Sequence, residues 1–169
     1  GIDDELQLIK ADGLRGVPTD ADDIIIAGMG AGLISRIGLD AHWLKSPDKR
    51  LILQPMHRAD ILRKNLYNNG FAIDREIPVI DGEYVYCVMC VVDDYFPFTG
   101  KMVDTLRQGG EHSDHAALYL LYHAKKIRGK ARGLARSIDR EKRAQAEYWE
   151  SLARRIIDLV GVREIKIAD

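Results

Sequence analysis

The residues best placed to do chemistry are the glycines of Gly28-Met29-Gly30-Ala31-Gly32. They follow a continuous apolar run, Ile24–Ala27, and precede a helix-like stretch that opens at Gly32. Glycine lets a backbone turn sharply and come close to a ligand, and the N-terminus of a following helix favours negative charge. The spacing is GxGxG rather than GxGxxG, and Asp48 falls before the next strand instead of at its end, which argues against a dinucleotide site. Two readings stay open on spacing alone: a plain strand-to-helix turn, and ligand contact at the carboxyl end of a parallel strand. Asp12-Gly13-Leu14 also follows a β-like segment. A carboxylate there could accept from an exocyclic amine such as adenine N6, although Asp-Gly is equally an ordinary turn.

Other reactive residue types have plainer readings. Cys87 and Cys90 lie in the β-rich run YVYCVMCVV over 84–92. In a strand, residues three apart point to opposite faces, so the two thiols neither chelate one ion nor form a disulfide. Core packing and a reducing cytoplasm are expected. Glu111-His112-Ser113-Asp114-His115 has ligand types, but Glu, Ser and Asp also start helices and no third well-spaced ligand is evident, so no metal is expected. His42, His57 and His123 stand alone and are read as structural or surface residues.

From Lys125 to Arg155 there are eleven Lys/Arg against four Asp/Glu, a local charge of +7 within a chain of net charge −1. Lys125, Lys126, Arg128, Lys130, Arg132 and Arg136 therefore either form a solvated helix face or contact phosphates, which need flexible cations rather than fixed spacing.

The elements that must position these residues follow from periodicity. Residues 5–10 alternate and read as a strand; 22–27, continuous and apolar, read as a strand buried on both faces of a parallel sheet. Residues 50–54 form a third strand stopped by Pro55, and 58–69 an amphipathic helix closed by Asn68-Asn69-Gly70. Phe71–Val79 and Tyr84–Val92 are strands joined through Asp81-Gly82, a hairpin signal. Beyond 97 the pattern turns helical, with two antiparallel helices broken near Gly129 or Gly133 and a short strand or tail over 162–167. The expectation is an α/β chain: a mostly parallel sheet with a C-terminal β-hairpin over 1–96, then a coiled-coil-like helical domain over 97–169. About 46% of the residues are apolar and 30% charged, a globular composition, and no apolar run approaches the length of a membrane span. No signal peptide is visible.

In this order and spacing, Asp12-Gly13-Leu14, DIIIAGMG over 23–30, RLILQP over 50–55, Leu62-Arg63 and Gly70-Phe71 resemble the TrmK family, bacterial tRNA (adenine-22-N1)-methyltransferases of the class I, S-adenosylmethionine-dependent type. The resemblance covers residues 5–95 closely and the helical end in layout. It implies a Rossmann-like fold and transfer of a methyl group from S-adenosylmethionine to adenine N1 in tRNA. It assigns Asp12, Gly13 and Leu14 to the cofactor's adenine. Ala27, Gly28, Met29 and Gly30 fall beside the methionine moiety and target base, and Gln54 and Pro55 near the target pocket. No general base is assigned; Asp81 and Glu83 on the hairpin turn are the acids considered.

Members of that family begin with a further segment carrying two strands, a glycine loop and a ribose-binding acid. The resemblance thus implies a fragment that binds cofactor weakly and is inactive alone. It also implies a 23–27 strand with an exposed edge, open to pairing with a second copy. The alternative is a non-catalytic RNA-binding or oligomerising module that works through the basic helices.

Overall fold

Isoleucines at 24, 25 and 26 favour an extended backbone because they are stiff at χ1, and they form β1 (Asp23–Met29) in a computed structural model that describes residues 7–92 and 101–161. The order continues as α1 (Ala31–Asp40), a short 3-10 turn (His42–Leu44), β2 (Arg50–Pro55), α2 (Ala59–Asn68), β3 (Ala72–Asp81) and β4 (Tyr84–Val92). Then come α3 (Lys101–Gln108), α4 (Glu111–Ala135) and α5 (Arg140–Val160). The strands make one sheet in the order β1-β2-β4-β3. β1 and β2 run parallel, from Asp23 opposite Arg50 to Ala27 opposite Gln54. β4 runs antiparallel to β2, with Arg50 opposite Val92 and Leu53 opposite Met89. Gly82 and Glu83 alone join β3 to β4, with Gly82 at φ +55°. A two-residue loop forces antiparallel pairing, so β1, β2 and β3 point one way and β4 the other. This is the α/β layout expected, with the closing hairpin in place.

The chain divides into two compact units, Gly1–Arg75 with Val88–Thr99, and Glu76–Cys87 with Gly100–Asp169. In the first, Ile24, Ile26, Ile34, Leu44, Leu51, Leu53, Leu62 and Leu66 are buried. Asn65 Nδ2 donates to Ser35 Oγ at 3.0 Å, tying α2 to α1. Arg50 grips Asp23 with two bonds of 2.7 and 2.9 Å across the start of the parallel pair. Cys90 is half-buried, and burial first, then Asp74, pushes its thiol pKa up, which keeps it protonated and unreactive.

Two expectations for this unit are corrected. β1 is not buried on both faces: Ile24 and Ile26 are each 6% exposed, but Ile25 is 69% exposed. The cause is position, since β1 is the edge strand and its Ile25 face has no cover among the described residues. Nor do residues 7–10 form a strand; Leu8 is 96% exposed. A segment without a ladder partner has nothing to hold it extended. Residues 5 and 6 of that expected strand lie outside the described residues, as does the segment 162–167.

In the second unit the hairpin end carries a buried polar hub. Glu76, 1% exposed, accepts from Met102 N at 3.0 Å through Oε2, and its carbonyl accepts from Thr105 Oγ1 at 2.8 Å. The buried Cys87 thiol points at Glu76 Oε1 from 3.8 Å. The carboxylate thus satisfies an N-terminal N–H of α3, where negative charge is favoured. Removing it takes away the acceptor of the buried Met102 N–H, so Glu76→Ala should lower unfolding stability by about 2 kcal/mol. Glu76→Gln, which keeps an acceptor, should lose less; urea denaturation midpoints measure both.

α4 and α5 pack along small residues, with Ala124, Ala131, Ala146 and Ala153 all buried. The break between them is not at Gly129 or Gly133, which lie inside α4; it spans Arg136–Asp139. Each helical glycine costs about 1 kcal/mol, but the turn chemistry lies further on. Asp139 Oδ1 accepts from Glu141 N at 2.9 Å, Ser137 Oγ from Asp139 N at 3.2 Å, and Arg143 Nη1 donates to the carbonyls of Ser137 and Ile138. Packing on α5 carries the helix through its glycines and the cap ends it.

Candidate functional site

At the carboxyl end of β1 the parallel register slips: Ala27 pairs with Gln54 and Met29 with Pro55, so Gly28 is an unpaired bulge residue. Its φ of +74° is a conformation that side chains resist. The Gly28 N–H, lost to the ladder, donates instead to Gln54 Oε1 at 2.9 Å. Gln54 Nε2 is left toward the Pro55 carbonyl at 3.5 Å and Met56 Sδ at 3.9 Å. One residue on, Met29 O accepts from Met56 N at 2.9 Å, and Gly30 O accepts from Leu33 N and Ile34 N as α1 begins.

Gly30 is glycine for a different reason. Its backbone is ordinary, φ −69° and ψ 148°. A Cβ there, however, would stand 2.8 Å from Cε1 and 3.1 Å from Nε2 of His57. The His57 imidazole therefore leans directly on the backbone of the turn. Next to it Arg58 holds φ +59°, a left-handed conformation that costs a non-glycine residue about 1 kcal/mol or more. α1 has neither a capping side chain nor an acid in its first turn, so its N-terminal N–H groups are not neutralised by its own sequence.

Gly28, Met29, Gly30, Gln54 and Pro55 are thus brought together, and Ala27 pairs with Gln54 beside them. Asp12, Gly13 and Leu14 are placed elsewhere, in a turn against the later part of α1. Gly13, at φ +63°, lies so close to Ile37 that a Cβ would be 3.1 Å from Cγ1, and Asp12 Oδ1 is 3.8 Å from Arg36 Nη2. From Gly30 to Ile37 is seven residues, about 10 Å along a helix axis. Asp12 and Leu14 line a cavity of about 430 Å³ with Arg15, Arg36, His42 and Trp43. Asp81 and Glu83 sit at the hairpin turn, in the second unit. No cluster of metal-ligating side chains occurs among the described residues.

The basic residues of α4 and its C-cap, Arg136, fall into two sets. Lys126 Nζ lies 4.4 Å from the Tyr122 ring centre and Lys130 Nζ 3.9 Å from that of Trp149; Arg128 pairs with Glu150 at 3.2 Å. Lys125, Arg132 and Arg136 are exposed, and among the described residues their side chains make no such contact. Spacings of seven and four put these three on one face of the helix. That stripe runs beside the buried one of Ala117, Ala124 and Ala131.

His57, read from the sequence as a structural or surface residue, is exposed and lies against the Gly30 backbone across the parallel strands, a neighbour that residue spacing alone does not show.

A family model described as a methyltransferase domain matches residues 1–89. No curated protein matches the chain. Among solved structures, Sp1610 of Streptococcus pneumoniae, a candidate tRNA (m1A22) methyltransferase, is 23% identical with a TM-score of 0.67, over 89% of this chain and 68% of that one. The B. subtilis M1A22 tRNA methyltransferase TrmK is 22% identical with a TM-score of 0.62, over 89% and 68%. M. capricolum TrmK, in complex with S-adenosyl-homocysteine, is 16% identical with a TM-score of 0.66, over 90% and 69%. At these identities the likeness shows a shared fold.

Proposed function

From the premise that this chain belongs to the methyltransferase domain family, we propose that it acts in transfer of a methyl group from S-adenosylmethionine to N1 of an adenine in tRNA. The observation that carries this reading is the Gly28–Gly30 turn, where an open bulge meets Gln54 and His57 at the carboxyl ends of two parallel strands. Among the described residues, its two chain neighbours aside, nothing lies within 4 Å of where a Cβ on Gly28 would stand, so the turn leaves room for a ligand to approach the backbone. Open α/β sheets bind ligands at this end.

Bound S-adenosylmethionine supplies an electrophilic methyl group on its sulfonium sulfur. Adenine N1 carries its own lone pair, so no residue need act as a covalent nucleophile, and this chain's work is positioning. Gln54, its Oε1 held by Gly28 N–H, offers Nε2 as a fixed polar group. Asp12, Gly13 and Leu14 are assigned to the cofactor's adenine, and Ala27, Gly28, Met29 and Gly30 to its methionine end and the target base. Gln54 and Pro55 belong to the base pocket. We assign the methyltransferase part to residues 1–96 and tRNA contact to the helices of 97–169.

The intact protein should transfer labelled methyl groups from S-adenosylmethionine to tRNA, and digestion should yield 1-methyladenosine. Binding of tRNA without any transfer would instead favour a non-catalytic RNA-binding module, a reading that the exposed stripe of Lys125, Arg132 and Arg136 also supports. No described helix is long and apolar enough to cross a membrane. We place the protein's work in the cytoplasm, where tRNA is its substrate. Among the described residues the outer edge of β1 has no strand partner, and such an edge, with Ile25 beside it, invites pairing with another chain. A homodimer through β1 is therefore expected by light scattering at micromolar concentration, and a clean monomer would exclude it.

A further inference from the structure

We infer that His57 is the stacking partner of the base that accepts the methyl group. This deepens, and rests on, the transfer to a tRNA adenine proposed above. The imidazole tip lies against Gly30, 2.8 Å from the position a Cβ would take, yet His57 as a whole is exposed. The ring is therefore propped on the backbone of the turn instead of being enclosed.

The residues around this turn are apolar and uncovered. Met29 is 37% exposed, Leu33 40% and Met56 48%. They lie at the end of β1, in the first turn of α1 and just past β2. Gln54 is the fixed polar group among them, and its Oε1 is already taken by Gly28 N–H. A phosphate would find no cation among the side chains of Met29, Leu33, Gln54 and Met56. A flat, weakly polar ring finds thioethers, an isobutyl group and an imidazole, the kind of lining that receives a base taken out of its stack. Stacking on a flat side chain needs no fixed hydrogen-bond geometry, which suits a ring set against the Gly30 backbone. The left-handed backbone of Arg58, directly after His57, is a local strain of the sort that persists where surrounding structure fixes a functional side chain.

Steady-state kinetics on tRNA and S-adenosylmethionine, with His57→Ala, His57→Phe and His57→Gln in the intact protein, test the role. His57→Ala should raise KM for tRNA about tenfold, in the range of losing one base–ring stack, with KM for S-adenosylmethionine unchanged. His57→Phe should restore the tRNA KM and His57→Gln should not. Rescue by Gln and not Phe would reveal a hydrogen bond and overturn stacking. Wild-type constants in all three, or KM changes that track falling unfolding midpoints in Ala and Phe alike, would overturn it too. A second arm needs no turnover: titrating adenosine should shift the His57 Cε1 proton upfield by ring current, and a stationary resonance would refute the contact. An inactive wild type with a shifting resonance would count against methyl transfer while supporting the base platform.

Discussion

Gly30→Val should lower methyl transfer at least about 10²-fold while leaving the protein folded, because misplacing reacting groups by about 1 Å is enough for such a loss. The cause is lack of space. A single Cβ at Gly30 meets His57 Cε1 at 2.8 Å, and valine adds two methyls beyond it. Either the imidazole swings away or the turn retreats, and both move the groups that would hold the base. The backbone tolerates the change, since φ −69° and ψ 148° suit a β-branched residue. Trading a glycine for valine at the N-cap of α1 costs about 1 kcal/mol, which unfolding midpoints will register without loss of the fold. Initial rates with labelled S-adenosylmethionine, beside far-ultraviolet circular dichroism, separate the two effects. An unchanged rate would return Gly28–Gly30 to a plain strand-to-helix turn. Gly28→Ala makes an informative contrast. There the space is open but φ is +74°, so the penalty is conformational and falls on the bulge that orients Gln54.

The difference between these glycines marks how far the sequence could be read. That glycines end β1 was visible from their place after an apolar run. Which one is strained and which is approached by a neighbour was not, because one depends on a register slip against β2 and the other on His57. Local patterns served well where structure is local. Arg50–Gln54 before Pro55, the helix before Asn69-Gly70 and the Asp81-Gly82 hairpin all stand within two or three residues of expectation. They failed where the neighbours decide. Ile25 is as apolar as Ile24 and Ile26, but an edge strand buries only one face. α3 is eight residues long, and its Met102 N–H is met by Glu76 from the hairpin, a partner that local pattern does not show. Gly129 and Gly133 are breakers by propensity, yet the buried alanines of α4 and α5 hold the helix through them. Among the basic residues, composition showed the excess of charge but not which cations are already engaged with Tyr122, Trp149 and Glu150.

That last distinction sets the second large effect. Replacing Lys125, Arg132 and Arg136 together with serine should remove about three phosphate contacts and reduce the slope of log K against log salt by about 2 to 3, at 0.7–0.9 per phosphate. Over a fourfold rise in salt, that is roughly thirtyfold less loss of tRNA affinity in the variant than in the wild type. The three cations share one exposed face, and none has a side-chain partner among the described residues, so they have no internal contact to give up on binding. Replacing Lys126, Arg128 and Lys130 should act differently. Those side chains pack over Tyr122 and Trp149 or pair with Glu150, so their loss should show first in the unfolding of the α4–α5 pair and less in the salt slope. Filter-binding or fluorescence titrations across a salt series, run on both triple variants, tell the cases apart. A slope reduced only by the Lys125 set identifies this stripe as the phosphate track. A slope that neither set moves makes α4 a solvated face and shifts tRNA contact to other residues.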